Sequence, residues 1–591
     1  EGYKALITDD GTLGILEEIV TDFWASEEAH EDWLTGRLKV LPKKGNLKDP
    51  NNWRGIMLLD IGAKIVASII SERLQDLLEE VGLECQNGFS RLRGCADAGY
   101  TLKAALQKLR EHQQDSWVVF GDLAMAFVTV NLKALFQILR KFGVPKKLAS
   151  LIEQLHTGVT VKLTVGDADV TFPAEIGVKQ GDNMAPILFL FYMQAATEAM
   201  ERDWPVHKPQ FKTKMDGILT GRRFTTRGLI FDFWASLYAD DGGFLFESRK
   251  DLGLGCNCIF ATLRAFGLQM HVKGKTEAMY IPAQLSSYST ADRSNLEVSD
   301  PSGGVVGFVP FTDVFRYLGT HIHYSLSDEY EVKHRIAAAS AAFGALSSML
   351  CSRRTEYTRR GQIYKTLVLP ILAYGSEYWA YTQALAHKIQ SFHNKCVRRM
   401  CRVTLKHTHK HRITASSLEE RLGLRDIQTM LDDHRLRWIG HVARMPQQRL
   451  PRRMLTAWAA KKRPVGRPRQ ATAHCYLDTL RRADAGTKWV AHAQHRDEWR
   501  ERCSNVRPRF EQRGKRKPKI GKDGQEERCT NCGLPGYDES KLGPLAICDD
   551  EHCTHVFHAR CIGTLSVVPR VTRLSDLPDP WYCPRCTLAD M

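Results

Sequence analysis

Two stretches of this chain carry acids where acids are costly. Leu237-Tyr238-Ala239-Asp240-Asp241-Gly242-Gly243 lies within an apolar, β-prone region, and the pattern predicts strand, turn, strand over 229–246 with the acids and both glycines at the bend. Val118-Val119-Phe120-Gly121-Asp122 closes a short β-branched run with a third acid. An unpaired charge at the end of a buried strand is expensive, and adjacent carboxylates repel. Asp is also an ordinary turn residue, and each piece taken singly asks for no more than that. If the two strands are neighbours, three carboxylates converge. A divalent cation would turn their repulsion into coordination. Hard oxygen donors suit Mg²⁺. Two such ions ~3.5–4 Å apart activate a hydroxyl nucleophile and stabilise a leaving pyrophosphate.

The tail carries a second constellation. It reads Cys529-x2-Cys532-x15-Cys548-x4-Cys553-x4-His558-x2-Cys561-x21-Cys583-x2-Cys586. Eight soft ligands at paired spacing satisfy two tetrahedral Zn²⁺ ions. Seven of the 16 cysteines fall here, and the other nine are scattered without a pairing pattern. That usage fits a reducing compartment better than a disulfide framework.

The elements that must position these groups are legible in outline. Leu38–Pro42 reads as a strand running into the basic loop Lys43-Lys44-Gly45, and Ile65–Val81 as a helix. Ser116–Phe120 reads as a buried strand, and Asn131–Phe142 as an amphipathic helix ended by Gly143 and Pro145. Val159–Phe172 is a hairpin around Gly166-Asp167, and Pro186–Met200 a long apolar helix. Beyond about residue 330 the pattern is mostly helical, and 501–527 is a polar, basic linker.

With 591 residues, 43% hydrophobic and 25% charged, the composition is that of a globular protein of several domains. The longest purely apolar run, Ile187–Met193, is far short of the ~18 residues that span a bilayer, so no membrane partner is expected. No N-terminal secretory pattern is present. The chain opens on Glu1 rather than Met, as a piece of a longer protein would. The net charge is +16, and Leu431–Arg528 holds 26 Lys and Arg against 11 Asp and Glu. A basic stretch so concentrated is the footprint of a polyanion, most often nucleic acid, and equally of a solvated linker.

Seven stretches, in this order, resemble the reverse transcriptases of non-LTR (LINE-type) retrotransposons. They are Asn52-Trp53-Arg54-Gly55-Ile56, Gln86-Asn87-Gly88-Phe89, Phe120 to Phe127, Gly177 to Pro186, Tyr238-Ala239-Asp240-Asp241, Lys275-Thr276-Glu277 and Phe315 to Thr320. The resemblance runs from about residue 30 to about 470. It implies an α+β, right-hand polymerase: fingers, a palm with an antiparallel sheet, and a helical thumb. The implied domains are fingers and palm over 1–325, thumb over 326–385, a basic helical nucleic-acid-binding region over 386–500, the linker, and a zinc finger over 528–590. Asp122, Asp240 and Asp241 would hold two Mg²⁺. Arg54 would grip the triphosphate, Phe127 would abut the ribose, and Gln180, Gly181 and Tyr238 would face template and nucleotide. Lys275 would protonate the leaving pyrophosphate. The family usually has Asp after the gate aromatic, and Val128 stands there instead; that position is not a metal ligand.

The thumb's resemblance includes Tyr374 to Trp379, and Arg353, Arg354, Arg359 and Arg360 would line its basic face. Gly466-Arg467-Pro468 resembles an AT-hook core, as a basic turn between helices also would. The tail's ligand order resembles a PHD finger. The cross-brace of that family would give one zinc to Cys529, Cys532, His558 and Cys561, and the other to Cys548, Cys553, Cys583 and Cys586. A histone H3 tail or another basic peptide is the implied partner. Val556 and Leu545 stand where a methyl-lysine cage would need aromatics. The resemblance as a whole implies a nuclear RNA-directed DNA polymerase acting on an RNA template, a DNA primer and dNTPs, or a decayed relic that still binds chromatin or nucleic acid through its zinc-dependent tail.

Overall fold

The computed structural model describes residues 8–43, 45–214, 219, 228–271, 274–285, 293–380, 382–459 and 471–506, with two short strands at 545–547 and 556–558. The chain divides into two compact units. The first takes in residues 1–215, 222–326 and 447–467, the second 216–221, 327–446 and 468–591.

The first unit is built around a four-stranded sheet. Up to residue 281 the strands of this unit are β1 (Thr35–Pro42), β2 (Trp53–Leu58), β3 (Ser116–Gly121), β4 (Leu123–Ala124), β5 (Thr160–Val165), β6 (Ala168–Pro173), β7 (Gln210–Thr213), β8 (Leu229–Asp232), β9 (Ala235–Tyr238), β10 (Asp241–Phe246), β11 (Gln269–Met270) and β12 (Glu277–Ile281). The central sheet has the order β12-β3-β10-β9. All six residues of β3 are buried, as expected of a β-branched and aromatic run paired on both sides. Its register sets Gly121 opposite Gly242 and Phe120 opposite Gly243. Asp122 and Asp241 therefore emerge at the same end of adjacent strands.

Helices cover this sheet because their apolar spacing gives them one face to bury. Ala185–Arg202 is mostly buried, and Cys95–Glu111 lies against β9. The helix expected over 65–81 begins earlier, at Ile61, where the Asp60 side chain caps the amides of Gly62 and Ala63. Asn131 caps Leu132–Lys141 in the same way. A second sheet of order β2-β1-β5-β6 carries the strand and hairpin expected over 38–42 and 159–172.

The reading of 229–246 needs correction. β8 does not join the hairpin; it pairs with β7 in another sheet. The bend is only Ala239-Asp240, while Asp241, Gly242 and Gly243 already lie in β10. The glycines are there for room. A Cβ on Gly242 would stand 2.8 Å from the Phe244 ring, and one on Gly243 3.0 Å from Leu102.

The second unit is helical, with a core that includes Val332, Phe343, Tyr364, Trp379, Ile389, Val397 and Leu431. The expected basic face loses one member. Arg360 is 1% exposed, and its guanidinium donates to the carbonyls of Thr355 and Met400 at 2.7 and 2.6 Å, so it joins two segments of the core. Arg353, Arg354 and Arg359 are exposed. The helix Arg496–Ser504 runs into the start of the expected linker.

Among the described residues no helix is long and apolar enough to cross a membrane. The side chains of all eight expected zinc ligands, and Gly466-Arg467-Pro468, lie outside the described residues. Strands 545–547 and 556–558 pair antiparallel, with Leu545 opposite His558.

Candidate active site

The site grows from the turn between β9 and β10. Ala239 adopts φ 54, in the left-handed region that L-residues avoid. Gln86 holds it there. Its Oε1 accepts from the amides of Ala239 and Gly88, both at 2.8 Å, and its Nε2 donates to the Ala239 carbonyl at 3.3 Å. The backbone joins in: the Asn87 amide donates to Leu237 O and the Leu237 amide to Cys85 O, each at 2.8 Å. Gly88 allows this approach, since a Cβ there would lie 2.3 Å from the Ala239 nitrogen. The sequence flagged Gln86-Asn87-Gly88-Phe89 without giving Gln86 a role; only the long-range pairing reveals it.

Three carboxylates meet electrostatically at this end of the sheet. Burial is the largest cause lifting Asp240 above the ordinary carboxylate range, and Asp122 adds repulsion, while Arg54 and Lys275 pull the other way. Asp241 is pushed up to about 6, by burial first and then by Asp240 and Asp122. Asp122 faces two basic side chains. Lys275 Nζ lies 3.3 Å from its Oδ2 and His271 Nε2 3.7 Å away. Lys275 and His271 are themselves 3.2 Å apart, and the His271 amide donates to the Asp122 carbonyl at 3.1 Å. Burial, then Lys275, lowers the His271 pKa against the pull of Asp122, which favours the neutral imidazole at pH 7. Nothing in the sequence singled out His271, because no motif spacing ties it to Asp122.

Among the described residues no group of three or more His, Cys, Asp or Glu side chains encloses a metal position. The donor chemistry nevertheless suits Mg²⁺: three carboxylates come from one end of a sheet, and burial first holds two of them reluctant to ionise, Asp240 also through Asp122 and Asp241 also through Asp240 and Asp122. A bound cation relieves both penalties.

The remaining expected residues fall around this centre. Phe127 is half-buried, its ring stacked on Phe189 with centroids 4.8 Å apart and edge-on to Phe89 at 6.3 Å. Its carbonyl accepts from Val178 at 2.8 Å, which ties it to the loop carrying Gln180 and Gly181. Gly177 allows that approach, since a Cβ would stand 2.6 Å from Val128 Cα; the Val128 side chain is exposed. Gly181 sits at φ +117 with no room for a Cβ against the Met57 carbonyl, and the Met57 amide donates to Gln180 O at 2.6 Å. The loop is thereby fixed to β2, the strand that bears Arg54. Underneath, buried Lys179 donates to Leu155 O at 2.6 Å beside Asp182 and His156. Tyr238 is half-buried at the end of β9, opposite Asp241.

Comparison with known proteins gives this arrangement a context. Residues 41–322 match the family model described as reverse transcriptase (RNA-dependent DNA polymerase). A Pol polyprotein of the R2 type-1 retrotransposable element from Popillia japonica is 29% identical over 159 residues, covering 27% of this chain and 22% of that protein. A transposon-derived protein of Caenorhabditis elegans is 29% identical over 219 residues, 35% of this chain and 76% of its own length. The R2DM Pol polyprotein of Drosophila melanogaster is 27% identical over 172 residues, 29% of this chain and 16% of that protein. The matches thus span about a fifth of the length of the R2 polyproteins. Apo telomerase from Candida tropicalis aligns over 76% of this chain and 73% of its own, with a TM-score of 0.36 and 10% identity. Residues 41–322 are thus similar to reverse transcriptases, by the family match and by these relatives.

Proposed function

We propose that this chain synthesises DNA on an RNA template as part of a LINE-like retroelement. The observation that carries the reading is the strand register that brings Asp122, Asp240 and Asp241 to one end of the central sheet, where the charge of Asp122 acts on both of the others. Two Mg²⁺ held by these carboxylates would supply an activated primer 3′-hydroxyl and charge compensation for the leaving pyrophosphate. In the reaction a bond forms from the 3′-oxygen to the α-phosphorus of a dNTP, and the bond from that phosphorus to pyrophosphate breaks. Lys275, exposed beside Asp122, hands a proton to the departing pyrophosphate oxygen. Arg54 binds the triphosphate, since a guanidinium fork suits phosphate oxygens. Phe127, fixed by Phe189 and by the Gln180–Gly181 loop, bars a ribose 2′-hydroxyl. Gln180, Gly181 and Tyr238 face the template and the incoming nucleotide.

The thumb over 326–385 and the basic region over 386–500 grip the duplex through phosphates, with strong salt dependence. The tail over 528–590 is a PHD-type finger holding two structural Zn²⁺, one on Cys529, Cys532, His558 and Cys561 and the other on Cys548, Cys553, Cys583 and Cys586. It tethers the enzyme to a basic peptide such as a histone H3 tail, in the nucleus. Strands 545–547 and 556–558, which pair antiparallel, flank Cys548 and Cys553 in sequence.

Primer extension on poly(rA)/oligo(dT) with Mg²⁺ tests the reading. The wild type should extend the primer and the Asp240→Ala, Asp241→Ala double variant should not. Equal behaviour of the two would overturn polymerase function in favour of a relic that binds nucleic acid or chromatin, a reading that Val128 in place of the usual acid keeps in view.

A further inference from the structure

Residues 447–459 follow the helices of the second unit in sequence but belong to the first. The helix Leu450–Leu455 packs on Cys95–Glu111 with Met454 fully buried. Strand Ala457–Ala459 then pairs antiparallel with β7, and Thr456 meets Thr213 hydroxyl to hydroxyl at 2.9 Å in the interior. This segment ends in a charged anchor. Arg449 Nε donates to Glu84 Oε1 at 2.9 Å, and the Leu450 amide donates to the same oxygen at 2.8 Å. The other oxygen of Glu84 takes Arg93 at 2.9 Å. Arg93 also donates to the carbonyls of Glu84 and Gln86, each at 3.0 Å. Arg449 and Arg93 are 11% and 16% exposed at the side chain and Glu84 25%, so these are charge-assisted bonds partly shielded from solvent.

Glu84 immediately precedes the residues that brace the catalytic turn: Cys85 binds Leu237, Gln86 clamps Ala239, and Asn87 binds Leu237. We infer that Arg449 is a positioning residue for catalysis. Through Glu84 and Arg93 it locks the 83–88 loop, and that loop holds Ala239 in its left-handed conformation so that Asp240 and Asp241 face Asp122. A segment from beyond the thumb-like helices therefore completes the palm. The metal-ligand turn is strained, and strain persists only where the surroundings over-determine it. This inference rests on the polymerase reading for its kinetic consequence, though not for its structural one.

The test uses the full chain with Arg449→Met, Arg449→Lys, Glu84→Gln and the Arg449→Met, Glu84→Gln double variant. Amide hydrogen exchange at Leu237 and Ala239 should quicken roughly tenfold in Arg449→Met and Glu84→Gln, with melting temperature nearly unchanged. In primer extension kcat should fall about tenfold while dNTP KM moves less than about twofold. The double variant should be no worse than the worse single, and Arg449→Lys should recover part of the loss. Unchanged exchange at 237–239, additive losses, or activity falling only in step with melting temperature would each overturn the inference. If Arg449→Met does not fold, Glu84→Gln alone decides it. If the wild type extends no primer, the polymerase reading fails, and the exchange result still decides this one.

Discussion

Removing the charge of Asp241 should stabilise the metal-free protein. Burial and the neighbouring Asp240 and Asp122 hold this carboxyl at about 6, against 3.8 for a free side chain. That difference is about two pH units, or about 3 kcal/mol if none of it were screened. The side chain is only partly buried, so screening brings the expected value to ~1–2 kcal/mol. The sign follows from proton binding. As pH rises between 3.8 and about 6, the unfolded chain releases a proton that the fold retains, so stability falls through that window and the full penalty applies above it. Asp241→Asn in EDTA at pH 8 should therefore raise the melting temperature of the first unit by roughly 2–4 °C. The gain should shrink toward pH 4. Mg²⁺ should stabilise the wild type more than the variant, since the ion relieves repulsion among three carboxylates in the one and two in the other. Differential scanning calorimetry with and without Mg²⁺ at both pH values reads all of this. A variant that melts lower than the wild type in EDTA at pH 8 would refute the reasoning, for it would mean that the carboxylate is held by favourable partners.

Other substitutions probe other parts. Phe127→Ala should raise incorporation of ribonucleotides relative to deoxynucleotides by at least ~10-fold in single-nucleotide extension assays, the low end of the discrimination that a pocket achieves over a single small group. Gly181→Ala places a Cβ against the Met57 carbonyl at a φ suited to glycine, and should cost about 2 kcal/mol by urea unfolding together with most extension activity. Arg360→Ala strips two buried carbonyls of their donor and should destabilise the second unit by about 3 kcal/mol, whereas Arg359→Ala, exposed on the same helix, should leave its melting unchanged. On the proposed reading, a chelator selective for zinc over magnesium should release two zinc ions per chain, measured by a metallochromic dye, without slowing primer extension in excess Mg²⁺, because the tail's metals would be structural and distant in sequence from the three acids.

The sequence by itself determined the chemistry on offer and most of the local structure. Residue types set the acids at 122, 240 and 241. β-Branched runs set β3 and the hairpin strands, and apolar spacing with caps at Asp60 and Asn131 set the helices. These signals are local, and the chain writes them within a few residues of where they act. The tail's ligand spacing is legible for the same reason.

What the tertiary structure alone decided is everything that depends on which distant segments meet. Strand pairing put Asp122 beside Asp241, set Gln86 as the clamp on Ala239, and assigned Gly242 and Gly243 to a strand rather than a bend. Burial turned Arg360 from a surface cation into an internal tie. The return of 447–459 to the first unit brought Arg449 to Glu84, a contact 365 residues apart along the chain. None of these leaves a period or a spacing in the sequence. Their free energy comes from desolvation and register between segments that no local window contains.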